Sequence, residues 1–116
     1  MEIQKLEKSF TGGGEVKGCT FHQIAEFEKC YIYAKVKNGY TTYEAFEKKN
    51  VSVCIDFEAR QYSDTEFKER YPKSKDFGSW AWECFTVERA IDILKLKELI
   101  VGDVRKQIDE FTDKTI

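Results

Sequence analysis

The dipeptide Asn38-Gly39 constrains the fold of this chain more than any other feature. Asn-Gly accepts the positive φ angles of a two-residue type I′ turn. The segment before it, Lys29 to Lys37, alternates strictly, with Cys30, Ile32, Ala34 and Val36 on one face and Lys29, Tyr31, Tyr33, Lys35 and Lys37 on the other. The segment after it, Tyr40 to Glu47, is rich in Tyr, Thr and Phe. We therefore predict a β-hairpin.

Further strand patterns surround the hairpin. Val16 to Phe27 has strand character after the flexible turn Thr11 to Gly14, and Glu2 to Phe10 is an edge strand or an arm. After a turn at Lys48 to Asn50, a fourth antiparallel strand alternates Val51, Val53, Ile55 and Phe57 against Ser52, Cys54, Asp56 and Glu58. Short turns between strands favour an antiparallel meander over any parallel arrangement.

Two segments carry helix signals. Ser63 followed by Glu66 predicts a short helix to about Arg70, because this spacing forms a capping box. After a short strand from Trp80 to Phe85, Thr86 is an N-cap candidate and apolar residues take the helical period at Val87, Ala90, Ile91 and Leu94. Either one bent helix runs to about Thr112, or Gly102 ends it and Asp103 caps a second.

The predicted fold class is α+β: a four- to five-stranded antiparallel meander with a C-terminal helix on one face and an amphipathic tail helix. Hydrophobic residues make up 41% of the 116 positions, enough for a buried core. We expect an α+β domain over residues 1–98, continued by the tail over residues 99–116. No apolar run suits a membrane span or a signal peptide, so we expect a cytoplasmic location.

Composition and motifs exclude several functions. The 19 Lys and Arg against 21 Asp and Glu give a net charge of -2, far from the balance of a strongly basic nucleic-acid-binding domain. The glycines of Thr11 to Gly18 match neither of the phosphate-binding motifs G-x-x-x-x-G-K-[ST] and G-x-G-x-x-G, and they lead into a strand rather than a helix. We predict no cofactor, no metal and no catalytic residues, and hence no enzyme.

The four cysteines, Cys19, Cys30, Cys54 and Cys84, are scattered, with no C-x-x-C pair that would supply two ligands to zinc. We expect reduced core cysteines; a disulfide pair or a metal site is the alternative. His22 is the only histidine. A thiol enzyme is an alternative only if the fold brings one of the cysteines next to His22.

Aromatic residues carry the functional hypotheses. Tyr and Lys interleaved on an open face can hold single-stranded nucleic acid by stacking and phosphate attraction. The alternative is an ordinary half-exposed face on which Glu44 and Glu47 cancel the lysines. Trp80 and Trp82 are expected to share a face, both buried or both displayed. The candidate partner-binding residues are Tyr31, Tyr33, Lys35, Tyr40, Tyr43, Trp80 and Trp82.

The tail continues the apolar stripe of the helix. Its residues suit a homodimer or a partner helix. They are Val101, Val104, Ile108 and Phe111.

Four segments carry a family resemblance: V-K-G at Val16 to Gly18, C-Y-I-Y at Cys30 to Tyr33, Y-E-A-F-E at Tyr43 to Glu47, and Y-P-K-S-K-D-F-G-S-W-A-W at Tyr71 to Trp82. Over Met1 to Leu94 the chain resembles small uncharacterised proteins of bacterial phages and mobile elements. The resemblance implies an inhibitor or adaptor that binds one larger protein.

We therefore expect a small non-enzymatic protein-binding module. The partner that we expect is a bacterial defence effector such as a CRISPR nuclease, inhibited by direct contact. The alternative is a single-stranded nucleic-acid-binding domain.

Overall fold

A computed structural model describes residues 2–56 and 58–100 of the chain. Within these residues it places strands, one α-helix and two short 3-10 turns. The elements are β1 (Glu2–Gln4), β2 (Ser9–Thr11), β3 (Thr20–Glu26), β4 (Cys30–Lys37), β5 (Tyr40–Glu47), β6 (Asn50–Asp56), β7 (Gln61–Glu69), β8 (Ala81–Cys84) and α1 (Val87–Leu96), with the 3-10 turns at Gly14–Val16 and Ser74–Asp76.

The strands form two sheets. One has the order β2-β3-β4-β5-β8 and the other the order β1-β7-β6. The contacts group the chain in the same way, into a five-stranded unit (Lys8–Glu47 with Pro72–Ile116) and a three-stranded unit (Met1–Glu7 with Lys48–Tyr71). The fold is α+β, as predicted.

The predicted hairpin is confirmed. β4 pairs with β5 in continuous antiparallel register from Cys30 opposite Glu47 to Lys37 opposite Tyr40. Asn38 and Gly39 between them have φ angles of 51° and 80°, as the mirror-image turn requires. β3 and β2 extend the meander on the other side of β4, also antiparallel.

β6 is a strand, as its alternation indicates, but its predicted place as the fourth strand of the meander is wrong. β5 pairs instead with β8, and the N–H of Glu47 donates to the carbonyl of Trp80 at 3.0 Å. The positive φ angles that a tight hairpin needs lie at Asn38 and Gly39 and not at Lys48 or Lys49. The chain therefore leaves the sheet after Glu47 and β6 pairs with β7.

The predicted helix between Ser63 and Arg70 is also wrong, since this segment is β7. The capping-type bond nevertheless forms: Ser63 Oγ accepts from the N–H of Glu66 at 2.8 Å. It closes a bulge, because Ser52 pairs with Phe67 and Cys54 with Tyr62, so the four residues 63–66 of β7 lie opposite the single residue Val53 of β6. Pairing with β6 outweighs the local helix signal.

β1 corrects the expectation of a wholly antiparallel arrangement. It pairs with β7 in parallel, with Ile3 opposite Phe67. A parallel pair needs a long connection, and the chain between β1 and β7 supplies it.

The predicted start of the helix after Thr86 is confirmed by α1, but both predicted ends, at Gly102 and at about Thr112, are wrong: α1 ends at Leu96, and Glu98 shortly after it has a positive φ of 60°. Thr86 Oγ1 accepts from the N–H of Arg89 at 3.1 Å, which satisfies one of the free donors of the first turn. Ala90, Ile91 and Leu94 are buried and pack with Cys30, Ile32, Ala34, Ala45 and Cys84 in one core. The predicted stripe therefore covers one face of the five-stranded sheet.

Gly12 explains the first part of the glycine turn, which joins β2 to β3 as a hairpin connection. A Cβ atom at this position would lie 2.5 Å from the carbonyl oxygen of Val16. Only glycine therefore allows the chain to fold back so closely that the Gly12 N–H reaches the Cys19 carbonyl at 2.8 Å.

Candidate functional site

Tyr31 and Tyr33, the centre of the predicted open face, are buried, with exposed fractions of 1% and 0%. They alternate with the residues that pack on α1 and so lie on the opposite face of the five-stranded sheet. There Tyr33 stacks on Phe46 with ring centroids 5.6 Å apart, and Tyr31 meets Tyr33 edge-on at 5.7 Å. The prediction that this face of the sheet is open is therefore wrong.

The same aromatic cluster extends to the edge of the sheet. Phe10 of β2 stacks on Phe21 of β3 at 4.8 Å and contacts Tyr33 at 5.9 Å. Strand alternation alone distinguishes two faces but does not say that the second is polar, because tyrosine suits either setting. The lysines on either side of the two tyrosines made this face resemble a solvated one.

Lys35 lies among carboxylates. Its Nζ is 3.6 Å from Glu83 Oε2 and 3.9 Å from Glu44 Oε2, and Glu44 is buried. Glu44 and Glu83 are directly opposite each other on β5 and β8, so Lys35 offsets the repulsion between them. Glu44 thus lies near one of the lysines of this face, as expected, and Lys35 belongs to an ion-pair set with Glu44 and Glu83.

The tryptophans do not share a face. Trp80 precedes β8, in a turn where its N–H donates to the Asp76 carbonyl at 3.2 Å, and its ring meets Phe46 edge-on at 6.4 Å. Trp82 is within β8 and carries the Lys97 ammonium 5.4 Å from its ring centroid, a cation–π distance. Both rings are half-buried, which neither predicted alternative described.

Tyr40 is the predicted partner-binding residue that the structure leaves open, with 79% of its surface exposed. Tyr43, three positions later on β5, is partly buried against the core under α1. Lys37 pairs directly with Tyr40 and is also exposed.

Phe85 is a candidate that the sequence analysis missed. It is 83% exposed and follows Cys84, which pairs with Tyr43. It therefore lies at the same end of the sheet as the Asn38-Gly39 turn. Its position before the N-cap Thr86 suggests a residue that packs on the helix at Ala90, and its exposure shows that no such packing buries it. We define the hairpin-end surface as Lys37, Tyr40 and Phe85.

The cysteines are free, and three of them are buried as predicted; Cys54 of β6 is exposed, which corrects the prediction for that residue. β6 is an edge strand of its sheet. Burial raises the pKa of the Cys84 thiol, with Arg89 opposing and Glu83 adding to the shift. Cys84 is thus held as a thiol rather than as a nucleophilic thiolate.

His22 hydrogen-bonds to a serine rather than to a cysteine. Its Nδ1 lies 3.1 Å from Ser9 Oγ across the β2–β3 pair, in an exposed position. Within residues 2–56 and 58–100 no acidic group bonds the second ring nitrogen, which a serine–histidine nucleophile would use for orientation.

No group of three or more metal-ligating side chains occurs in the described part of the chain. Nor does any helix there have the length and apolar character to cross a membrane. The tail residues Val101, Val104, Ile108 and Phe111 lie outside the described residues, so their role in a dimer or a helix contact stays a prediction.

No protein-family model, curated protein or solved structure matches the chain. The resemblance to phage and mobile-element proteins likewise stays a prediction from the sequence.

Proposed function

We propose that this chain is a non-enzymatic protein-binding module that contacts its partner through the hairpin-end surface. The observation that carries the proposal is the exposure of two large aromatic side chains, Tyr40 and Phe85, at one end of a sheet whose other aromatic residues are buried or half-buried. Aromatic residues dominate the binding energy of protein interfaces, since they offer large apolar area with few rotatable bonds.

The surroundings of the two rings support this choice. Lys37, which faces Tyr40 across the hairpin, supplies a positive charge at the rim, where it would favour an acidic patch on the partner. The type I′ turn and the continuous β4–β5 register hold the hairpin rigid, so little conformational entropy is lost on binding.

The partner class follows from the sequence resemblance. We propose a bacterial defence effector, such as a CRISPR nuclease, that is inhibited by direct contact. A rigid aromatic surface suits this action because an inhibitor of this kind needs affinity rather than chemistry.

The test is a binding titration of candidate nucleases against the immobilised chain, together with a DNA-cleavage assay. We expect the wild type to bind one of them and slow its cleavage. Tyr40→Ala/Phe85→Ala should weaken binding at least about tenfold, as loss of central aromatic residues does. Leu96→Ala is the matched control, because Leu96 is 78% exposed at the end of α1, outside the hairpin-end surface.

Two results would contradict the proposal. Undiminished binding by the double variant would exclude the hairpin-end surface, and absence of binding to every nuclease would exclude the partner class. Short oligonucleotides test the alternative function: we expect no saturable binding at low salt, because Tyr31 and Tyr33 are buried and Lys35 is ion-paired. Saturable, salt-sensitive binding would favour the nucleic-acid alternative.

A further inference from the structure

The edge strand β6 presents an apolar face that the fold leaves uncovered. β6 is the last strand in the order β1-β7-β6, and no described strand pairs with its outer side. Val51 and Ile55 are 37% and 66% exposed, and Val53 between them is half-buried. The three side chains fall on one face of the strand by alternation.

β6 also lacks most of the features that protect an edge strand from pairing. Proteins block such edges with lysine, proline, strong bulges or very short strands. β6 has seven residues, with no Lys, Arg or Pro among them. Its one bulge is an extra residue, Ile55, near the end of the strand, and the other irregularity of its ladder, between Ser52 and Cys54, comes from extra residues of β7.

We propose that β6 pairs antiparallel with β6 of a second copy of this chain, with Val53 at the two-fold axis. This register places Val51 opposite Ile55 of the other copy, and the reverse, so that Val51, Val53 and Ile55 each meet an apolar partner. A two-fold contact needs a self-complementary surface, and this segment is self-complementary when it pairs antiparallel with itself.

The flanking charges select the antiparallel direction and the second copy. Lys48 and Lys49 precede the strand, whereas Asp56 ends it and Glu58 follows. Antiparallel pairing brings the basic start of one copy to the acidic end of the other at both ends of the contact. Parallel pairing would place like charges together, which is destabilising.

This dimer differs from the one predicted through the tail, and it does not depend on the proposed function. The hairpin-end surface belongs to the five-stranded unit and β6 to the three-stranded unit. Failure of either proposal therefore leaves the other standing.

The first test is the molar mass of the full chain by light scattering and sedimentation up to about 1 mM, the range in which weak association is seen. Wild type should approach twice the monomer mass of 13.6 kDa. Val51→Lys/Ile55→Lys and Val51→Glu/Ile55→Glu should each raise the dimer dissociation constant at least about tenfold, since like charges then face each other. An equimolar mixture of the two should regain the dimer.

The second test fixes the register by cross-linking in a Cys54→Ser background. Val53→Cys should form an intermolecular disulfide on mild oxidation, because directly opposite residues have Cα atoms about 5 Å apart. Ile55→Cys is the matched control and should not link to itself, since the two positions lie about 14 Å apart along the strands.

Three results would overturn the proposal: a monomeric wild type at the highest concentration, a dimer that withstands Val51→Lys/Ile55→Lys, or Val53→Cys chains that link no faster than Ile55→Cys chains. The variant Ile108→Lys in the full chain distinguishes a dimer through β6 from a dimer through the tail. We expect it to leave the dimer intact, and loss of the dimer in this variant alone would assign the contact to the tail instead.

Discussion

The two sheets differ in how they bury their apolar residues. In the five-stranded unit, β4 has five consecutive buried residues from Cys30 to Ala34, so both faces of the central strand are covered. In the three-stranded unit, β6 carries Val51 and Ile55 at the surface, and its pairing with β7 is interrupted twice.

This difference indicates where the stability of the chain resides. Burial of apolar area is the main favourable term in folding, and regular ladders add hydrogen bonds to it. The five-stranded unit has both. Among the residues whose burial is described, the three-stranded unit has fewer buried side chains, so its strands should open more readily than β4 and β5.

Thiol reactivity should show the largest contrast between the two units. Cys54 of β6 is exposed, whereas Cys19, Cys30 and Cys84 are buried in the five-stranded unit. We expect Cys54 to react with a thiol reagent about a thousandfold faster than the others, which must wait for the core to open. Reaction is followed by absorbance, with Cys54→Ser as control. If all four thiols reacted at the same rate, this contrast between the two units would be contradicted.

Core truncation should give the next largest effect. Phe46→Ala should lower the free energy of unfolding by about 3–5 kcal/mol, because Phe46 is fully buried among aromatic rings. Tyr62→Ala in β7 is the comparison. Tyr62 is 57% exposed, so its loss should cost less than about 1 kcal/mol. Urea unfolding measures both, and similar losses would show that the two sheets contribute alike.

The charged set around Lys35 should contribute less than the aromatic cluster. Lys35→Met removes the cation beside buried Glu44 and should destabilise by about 1–2 kcal/mol. Adding Glu44→Gln should recover part of the loss, because the buried charge is then gone. Lys68→Met, at an exposed position of β7, should change stability by less than about 0.5 kcal/mol. Full additivity of Lys35→Met and Glu44→Gln would disprove the coupling.

The smallest expected effects concern two similar hydrogen bonds, in each of which a backbone N–H donates to a side-chain hydroxyl oxygen. Thr86→Ala removes the N-cap of α1 and should cost about 1 kcal/mol of global stability, with Thr86→Ser close to wild type. Ser63→Ala removes the bond that closes the β7 bulge. We expect it to speed hydrogen exchange at Glu66 while leaving global stability almost unchanged. A global loss as large as that of Thr86→Ala would contradict this expectation.

The features that the sequence predicted are those set by local chemistry. The Asn38-Gly39 turn, the alternation of β4 and β6, and the Thr86 cap depend on neighbouring residues, and all were confirmed. The pairing of β6 with β7 and the place of β8 beside β5 depend on residues tens of positions apart. No periodicity within a segment records which distant strand completes its hydrogen bonds.

The candidate site was predicted only in part for the same reason. Tyr40 was identified from the hairpin, whereas the burial of Tyr31 and Tyr33 depends on Phe10, Phe21 and Phe46, which neighbouring strands bring against them. Phe85 has no signal of its own, because an aromatic residue before an N-cap ordinarily packs on the helix. Burial, rather than residue type, decides which aromatic residues are available to bind a partner.

The parallel pairing of β1 has a consequence for how the chain is made. Ile3 is synthesised 64 residues before its partner Phe67. At about 5–20 residues per second, β1 waits roughly 3–13 s before β7 exists. The β4–β5 hairpin, whose strands are contiguous, can form during that interval. β1, though synthesised before the strands that follow it, should thus be among the last to reach its native place.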